Sequence, residues 1–316
     1  MKLIIQIPCY NEEESLPVTL KELPRKIEGV DTVEWLIIND GSSDKTVQVA
    51  KEHGVDHVVN FKTNQGLAKV FMAGLNACIN LGADIIINTD ADNQYNADDI
   101  EKLIVPILEG THDIVVGERP ISNTNHFSFQ KKLLQKIGSF TVRIASRTKV
   151  PDAPSGFRAM SKEAALRLNV FNKYTYTLET IIQAGHTGIA ITSVPIRTND
   201  DLRPSRLVKS IARYIRLSLN TILRVSTFYN PLKSILNIGL LFLLGGFGIG
   251  MRWLILFFII QDGRNHIPSL ILASILFTVG VITSMMAVIA DLISVNRKIL
   301  EELQYKARQQ DFNKKK

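Results

Sequence analysis

The chain has 316 residues, of which 46% are hydrophobic and 21% charged, and its mean hydropathy of +0.10 predicts that apolar residues are concentrated in part of the sequence. The net charge is +7 and Lys and Arg are dense after residue 200, which favours anionic lipid head groups or phosphates as partners. No nucleic-acid motif is present, so we predict no nucleic-acid partner, and Cys9 and Cys78 lack metal-ligand spacing and imply no disulfide framework.

The first part of the sequence alternates five times between a predicted strand and a predicted helix. The predicted strands are residues 3–8, 33–38, 57–60, the apolar run before Asp90, and 113–116. Each strand ends in polar residues, which predicts a parallel, doubly wound α/β sheet with one functional edge. The first strand follows Met1 without a signal peptide, so we expect the domain to be cytoplasmic.

The candidate metal site consists of Asp90, Asp92 and Gln94, directly after a run of β-branched residues. In open α/β sheets, ligands bind outside the carboxyl ends of the strands. Two carboxylates and one amide oxygen are hard ligands that suit Mg²⁺ or Mn²⁺. The alternative is a turn with acidic caps for the next helix, and we assign that capping role to Asp98 and Asp99.

The middle of the chain completes this domain. Residues 126–147 predict a basic helix, and residues 152–158 predict a loop or a short strand. Further helices are expected near 161–168 and 178–184, with a last strand at 189–195.

The sequence pattern changes at Arg206, where basic and aliphatic residues fall on opposite faces of a predicted helix. This pattern predicts a helix lying in the membrane interface, and docking of the helix on the soluble domain is the alternative. Two apolar stretches follow, about 234–260 and 267–290, and each is long enough for a hydrocarbon core of about 30 Å. Lys and Arg are dense before the first stretch and after the second, so the positive-inside rule places both termini in the cytoplasm.

Two features inside the apolar stretches carry predictions of their own. Arg252 interrupts the first stretch, so either that span ends near residue 251 or Arg252 extends to the outer interface. Gly246 and Gly250 form a small-xxx-small pair that predicts close packing against the second span, with oligomerisation as the alternative. The lysine-rich C-terminus predicts a disordered tail.

These patterns divide the chain into four parts. We predict a cytoplasmic catalytic domain at 1–204, an amphipathic juxtamembrane segment at 205–230, two transmembrane helices at 231–294 and a basic cytoplasmic tail at 295–316.

Six short motifs occur in the order typical of family 2 glycosyltransferases. They are Pro8-Cys-Tyr-Asn-Glu12, Asn39-Asp-Gly-Ser-Ser-Asp-Lys-Thr46, Asn64-Gln-Gly66, Asp90-Ala-Asp92 with Gln94, Gly117-Glu-Arg119 and Ser155-Gly-Phe-Arg158. Over roughly residues 1–210 the chain resembles this family, and most closely the dolichol-phosphate mannose synthase and polyprenyl-phosphate glycosyltransferase branch. The Gln-x-x-Arg-Trp motif of processive polysaccharide synthases is absent, which argues against a chain-building enzyme.

The resemblance implies a GT-A fold, which is Rossmann-like with a mostly parallel sheet. It implies inverting, metal-dependent transfer of one sugar from a UDP- or GDP-sugar to a polyprenyl or dolichyl monophosphate. The implied nucleotide-sugar contacts are Pro8, Tyr10, Glu12, Asp40, Gly66, Lys69, Asp90, Ala91 and Asp92. The implied ligands of Mg²⁺ or Mn²⁺ are Asp90, Asp92 and Gln94.

The resemblance also suggests catalytic residues, namely Asp92, Asp152, Arg119 and Arg158. Arg119 could offset charge on the leaving diphosphate or form a surface ion pair. Asp152 could be a base or a ligand of a sugar hydroxyl.

The acceptor phosphate is expected to bind Ser155, Arg158, Arg203 and Arg206, because guanidinium groups bind phosphate oxygens in a bidentate way. Arg206 could equally be a membrane-surface charge. Glu179 could contact the sugar or be an acid on a helix surface.

The sequence leaves two other functions open. One is a membrane-anchored transferase that acts on a lipid-linked oligosaccharide or another glycolipid. The other is a non-catalytic membrane scaffold that binds nucleotide sugars. The expected partners of the protein include membrane lipids, and a second copy of the chain is a further candidate.

Overall fold

The computed structural model describes residues 1–120, 139, 142–143, 146–170, 175–200, 231–260 and 267–315. The predicted basic helix lies mostly outside the described residues, and the predicted interfacial helix lies wholly outside them, together with Arg203 and Arg206. The chain forms two compact units, one of Met1–Leu223 with Glu301–Lys316 and one of Arg224–Leu300.

The described residues of the first unit contain one seven-stranded sheet with the order β3-β2-β1-β4-β6-β5-β7. Its strands are β1 (Lys2–Cys9), β2 (Thr32–Asn39), β3 (His57–Asn60), β4 (Ile85–Asn88), β5 (Ile114–Glu118), β6 (Arg158–Ser161) and β7 (Ile191–Pro195). Consecutive side chains on a strand point to opposite faces, and both Ile4 and Ile5 of β1 are fully buried. The sheet is therefore covered on both sides, as its unbroken apolar strands predict.

Strand β6 runs antiparallel between β4 and β5, so the sheet is mostly parallel rather than entirely so. Its first residue, Arg158, pairs with Asn88 at the end of β4 and with Val116 of β5. An antiparallel strand begins at the edge where its parallel neighbours end. Residues 152–157 therefore arrive at the same edge as the polar ends of β1, β2, β4 and β5.

Among the residues that the structure describes, six helices lie between these strands. They are α1 (Leu16–Glu22), α2 (Thr46–Glu52), α3 (Leu67–Asn80), α4 (Ile100–Leu108), α5 (Lys162–Arg167) and α6 (Thr177–Thr187). A 3₁₀ turn, Ala97–Asp99, leads into α4, and Asn96 caps it by accepting the Asp98 N–H at 3.1 Å.

The predicted caps Asp98 and Asp99 both lie in the 3₁₀ turn, and Asp99 occupies the N-cap position of α4. The Asp99 side chain makes no capping bond, because its carboxylate binds the Arg197 backbone N–H at 2.6 Å and the Lys102 ammonium at 2.8 Å. Asp99 instead fixes the start of the helix to the segment that follows β7.

The second unit contains helix α7 (Pro231–Ile255), which continues as a π-helical turn (Leu256–Ile260), and most of helix α8 (Ile267–Lys315). Pro231–Ile259 and Ile267–Gln310 are both long and apolar enough to cross a membrane. A Cβ atom on Gly246 would lie 3.0 Å from the backbone oxygen of Ala273. This close approach confirms that Gly246 packs against the second span within the same chain.

The end of α8 differs from the disordered tail that its lysines predict. The helix extends to Lys315, and its residues from Glu301 belong to the first unit. The Tyr305 hydroxyl donates to Glu163 at 3.0 Å, and Arg308 donates to the carbonyls of Leu166 and Leu168 at 3.1 and 3.0 Å. These bonds satisfy carbonyls at the end of α5, which explains why a basic segment is ordered there.

Candidate active site

Asp90 and Asp92 follow β4 at the polar edge of the sheet, and each keeps part of its surface exposed. The hydroxyl of Thr19 on α1 donates to the Ala91 carbonyl at 2.9 Å and so fixes the residue between them. The Gln94 backbone N–H donates to Asp92 Oδ1 at 3.3 Å, which closes the turn.

The electrostatics of Asp90 show how closely the charged side chains are grouped. Burial and the charge of Asp92 raise the pKa of Asp90 to about 7, while Arg119 and a hydrogen bond from Tyr95 act in the opposite direction. Glu12, in the loop after β1, also raises this pKa. The charges of Asp92, Arg119 and Glu12 thus all act on the Asp90 carboxylate.

Gly156 forms one wall of the space around Asp90. A Cβ atom on Gly156 would lie 3.0 Å from Asp90 Oδ2 and 3.1 Å from the Tyr176 hydroxyl. The Gly156 N–H donates to the Tyr95 hydroxyl at 3.0 Å. The Ser155-Gly-Phe-Arg158 motif is therefore packed directly against the acidic pair, and the glycine leaves room for a carboxylate.

A buried polar network supports this wall from inside the sheet. Asn88 Nδ2 donates to the Gly156 carbonyl at 2.9 Å and to the Tyr176 hydroxyl at 2.8 Å, while Gln6 donates to Asn88 Oδ1 at 2.9 Å. Tyr176 in turn stacks on Phe71, with ring centroids 3.8 Å apart.

The sequence motifs assign no role in the site to Gln6, Phe71, Asn88 or Tyr176. Gln6 and Asn88 carry a signal that could have identified them, because each is a polar residue inside an apolar strand and the two lie in register on neighbouring strands.

Arg119 and Asp152 form an enclosed bidentate ion pair. Arg119 Nε and Nη2 donate to the two Asp152 oxygens at 2.7 and 2.9 Å, and Asp152 is fully buried. Burial alone would lower the Arg119 pKa, but the charge of Asp152 and its hydrogen bonds raise it above its usual range. The surface ion pair considered for Arg119 is therefore wrong, because the pair is internal.

The structure also contradicts the prediction that Arg158 binds the acceptor phosphate or acts catalytically. Arg158 is 1% exposed, and its guanidinium donates to the carbonyls of Ser155 and Ala153, both at 2.9 Å, and to Thr180 Oγ1 at 2.5 Å. Its donors are used to shape residues 152–156 from within. Arg158 is a structural residue of this loop.

The Ser155 hydroxyl lies on the same loop and is fully buried. Among the described residues it has no hydrogen-bond partner. Such a buried hydroxyl is costly unless a ligand, a water molecule or a residue outside the described part of the chain satisfies it.

The loops after β1 and β2 form the neighbouring part of the edge. The Asp40 carboxylate accepts the backbone N–H groups of Gln65 and Gly66 at 2.6 and 3.0 Å, so it anchors the segment before α3. Gly41 has a φ of +70°, and a Cβ atom there would lie 2.6 Å from the backbone of Thr63. Only glycine fits this turn.

The remaining predicted nucleotide contacts surround these loops. Pro8 is in β1, Tyr10 just beyond it is 44% exposed, and Gly66 begins α3 with a φ of +89°. Lys69 is an exposed residue of the first turn of α3 and donates to the Gln65 side chain at 2.7 Å. Glu179 is buried in α6, so the alternative of a helix-surface acid is wrong.

The donor set suits a hard divalent cation. Asp90 and Asp92 are close enough for their charges to repel, and a cation between them would remove that repulsion. Among the described residues no group of three or more His, Cys, Asp and Glu side chains is placed to hold a metal. An ion at Asp90 and Asp92 would therefore need other ligands, such as the Gln94 amide, water or phosphate.

Comparison with known proteins gives one family. The model of glycosyl transferase family 2 matches residues 4–168. A UDP-N-acetylglucosamine–dolichyl-phosphate N-acetylglucosaminyltransferase from Methanococcus voltae is 32% identical over 215 residues, covering 61% of this chain and 83% of the relative. An undecaprenyl-phosphate mannosyltransferase from Micrococcus luteus is 27% identical over 206 residues, covering 62% and 83%.

A solved structure shares the fold. Glucosyl-3-phosphoglycerate synthase from Mycobacterium tuberculosis, in complex with Mn²⁺, UDP and glucosyl-3-phosphoglycerate, superposes with a TM-score of 0.55. The match covers 70% of this chain and 79% of that protein at 20% identity. The likeness confirms the predicted GT-A-like α/β architecture.

Proposed function

The chain belongs to glycosyl transferase family 2 and is a glycosyltransferase, and from this premise we propose that it transfers one sugar from a nucleotide sugar to a polyprenyl or dolichyl monophosphate. The observation that carries the proposal is the close approach of Gly156 to Asp90, where an added Cβ atom would lie 3.0 Å from Oδ2. It places the acidic pair, which suits a metal-bound diphosphate, beside a loop whose buried Ser155 hydroxyl has no partner among the described residues. The names of the two relatives supply the classes of donor and acceptor.

On the donor side, Asp90, Asp92 and Gln94 would hold Mg²⁺ or Mn²⁺. The ion would stabilise negative charge on the diphosphate as it leaves. The loops after β1 and β2 would enclose the nucleotide, with Tyr10 and Glu12 in reach of the base and ribose and Asp40 holding the loop that carries Gly66. The proposal covers both uracil and guanine as the base of the donor nucleotide.

On the acceptor side, a phosphate monoester is already an anion near neutral pH, so a strong general base is unnecessary. The site has to orient the phosphate and reduce its repulsion from the diphosphate. We propose that Ser155 donates to this phosphate and that Arg203 and Arg206 supply positive charge. Asp152 serves to hold Arg119 rather than to remove a proton, because both its oxygens already accept bonds from that guanidinium. The reaction would invert the anomeric configuration.

The membrane would supply the acceptor. We propose that α7 and the apolar part of α8 span the bilayer, with the catalytic domain and both termini in the cytoplasm. The flanking Lys and Arg support this orientation. Residues 205–230 would then lie at the interface, near the head group of the lipid.

A direct test uses the purified full chain in detergent with Mn²⁺, a short polyprenyl phosphate and a panel of UDP- and GDP-sugars. Mass spectrometry of the lipid should show a gain of one sugar with one donor. Release of nucleotide without any gain in lipid mass would refute the proposed acceptor. Transfer only to an added lipid-linked oligosaccharide would support the glycolipid alternative instead.

A further inference from the structure

Asn199, in the segment that follows β7, bonds to the turn that contains Asp92 and Gln94, and the sequence motifs assign it no role. Its backbone N–H donates to the Gln94 carbonyl at 2.9 Å. Its side-chain amide donates to the Asn93 carbonyl at 3.1 Å, although Asn93 is 106 positions away in the sequence. One residue therefore holds two consecutive carbonyls of the turn.

The orientation of the Asn199 amide is fixed by its partners. Its Nδ2 donates both to the Asn93 carbonyl and to Glu22 Oε2, each at 3.1 Å. Its Oδ1 accepts a bond from Asn96 Nδ2 at 3.4 Å, and Asn96 Oδ1 in turn accepts the Asp98 N–H. Because an amide has donors on one side and an acceptor on the other, turning it over would place its oxygen against two acceptors. The donor therefore stays directed at Asn93.

The peptide bond between Asn93 and Gln94 is held from both sides. Its carbonyl accepts the Asn199 amide, and its N–H donates to Asp92 Oδ1 at 3.3 Å. Asn93 has a φ of +56°, a left-handed conformation that residues other than glycine seldom adopt and that surrounding contacts have to maintain. Rotation of this peptide would break both bonds at once. Asn199 thus keeps the N–H directed at the Asp92 carboxylate.

The segment that carries Asn199 is anchored independently of its side chain. Fully buried Asp99 accepts the Arg197 backbone N–H at 2.6 Å and the Arg197 Nη2 at 2.9 Å. Tyr95 and Thr198 form an antiparallel bridge between the two segments. A change of the Asn199 side chain therefore leaves the backbone pairing around it in place.

We propose that Asn199 is a positioning residue, whose side chain holds residues 92–94 in the shape in which Asp92 and Gln94 bind the divalent metal. This inference rests on the proposed function, because it assumes that this turn holds a metal. Partners that orient metal ligands typically contribute about 10- to 100-fold to metal affinity. Asn199 acts on Asp92 through one intervening peptide, so we expect an effect at the lower end of that range.

The test compares Asn199→Ala with Arg197→Ala in the full chain. Asn199→Ala removes the bond to the Asn93 carbonyl, whereas Arg197→Ala removes side-chain bonds of the same segment to the carboxylates that precede α4. Mn²⁺ binding is measured by electron paramagnetic resonance with UDP and then with GDP present. Thermal unfolding is measured on the same proteins without metal. Neither readout requires turnover.

We expect Asn199→Ala to weaken Mn²⁺ binding by about tenfold and Arg197→Ala to change it by less than about threefold. The melting temperature of Arg197→Ala should nevertheless fall, because the fully buried Asp99 loses an ion-pair partner. The two variants should thus separate metal affinity from stability.

Asn199→Asp provides a second variant of nearly the same shape. The carboxylate cannot donate to the Asn93 carbonyl, and it adds a negative charge that, by attraction alone, would strengthen the binding of a cation. We expect this variant to weaken Mn²⁺ binding in spite of its charge, because it loses the same bond as Asn199→Ala.

Mn²⁺ affinity equal to that of wild type in Asn199→Ala, at any melting temperature, would overturn the inference. Equal losses in Asn199→Ala and Arg197→Ala would overturn it as well, because the effect would then come from general loosening of the segment. Tighter Mn²⁺ binding by Asn199→Asp would show that charge rather than position matters and would also overturn it. If wild-type protein binds no Mn²⁺ with either nucleotide, the metal site of the proposed function fails and the inference fails with it, whereas the other three results leave that site intact.

Discussion

Asp90 and Gly156 are 66 positions apart in the sequence but close in the fold, since a Cβ atom added to Gly156 would lie 3.0 Å from Asp90 Oδ2. The two residues are close because β4 ends, and antiparallel β6 begins, at one edge of the sheet. The proposed donor and acceptor sites would therefore be neighbours at this edge.

Gly156→Ala should impair transfer while leaving the protein folded. The added methyl group would press on Asp90 and on the Tyr176 hydroxyl at 3.1 Å, so the carboxylate has to move by a few tenths of an ångström. Displacements of this kind can reduce rates by about 10- to 100-fold. Initial rates and circular dichroism would check this. Gly245→Ala is a suitable control, because its nearest contact would be 3.9 Å away, and full activity in Gly156→Ala would refute the role of this wall.

Asp90→Asn should stabilise the metal-free protein above neutral pH. The pKa of Asp90 is raised from its ordinary 3.8 to about 7, so the folded state retains a proton that the unfolded state loses, and stability falls as pH rises through this window. The Asn side chain does not titrate, so it lacks this pH-dependent loss of stability.

The variant should therefore melt at the same temperature as wild type near pH 3.8 and at a progressively higher one up to pH 7. Thermal unfolding in EDTA at several pH values checks this, and a gain that does not depend on pH would contradict it. The same variant should lose Mn²⁺ binding, so stability is sacrificed here for function.

Asp152→Asn should destabilise the fold, because it leaves the Arg119 guanidinium, itself largely enclosed, without its carboxylate. Breaking a buried ion pair from one side typically costs about 3–5 kcal/mol. Denaturant unfolding would measure the loss. Asp98→Asn is the matched control, since that carboxylate is 77% exposed and its pair with Arg197 is 3.4 Å long, so a change under about 1 kcal/mol is expected. If Asp152→Asn and Asp98→Asn lose similarly small amounts of unfolding free energy, the Arg119–Asp152 pair is accessible to water and the prediction fails.

Arg308→Ala should loosen the end of α8 from α5. The variant loses two bonds to carbonyls, at 3.1 and 3.0 Å, and a loss of about 1–2 kcal/mol is expected. Limited proteolysis near the C-terminus, together with thermal unfolding, checks this. Lys306→Ala on the same helix is the control, because the exposed pair of Lys306 with Glu302, at 3.7 Å, contributes little. If the C-terminus resists proteolysis equally in both variants, Arg308 does not hold the end of α8 against α5.

Much of the fold follows from local patterns. Apolar runs that stop at Asp90 and at Asn39 define buried parallel strands and the edge at which they end, because hydrophobic runs and their termination are local properties. The antiparallel direction of β6 was not evident, because a four-residue strand carries no signal of its direction and depends on its neighbours for pairing.

The roles of side chains were harder to predict than their positions. Arg158 is in the loop motif as expected, but its burial depends on Thr180 of α6, which is 22 positions away. Tyr95 and Gly156 are 61 positions apart, and no spacing rule relates them. The C-terminal lysines predict disorder, whereas Tyr305 and Arg308 between them make the contacts that order the helix.

The most direct measurement of the central claim is transfer by Asp92→Ala beside wild type, with the same nucleotide sugar, Mn²⁺ and polyprenyl phosphate, followed by the mass of the lipid. We predict that wild type adds one sugar to the lipid phosphate and that the folded variant adds none, because a single carboxylate cannot hold the metal against the diphosphate. Full transfer by Asp92→Ala would contradict the metal site and the mechanism built on it.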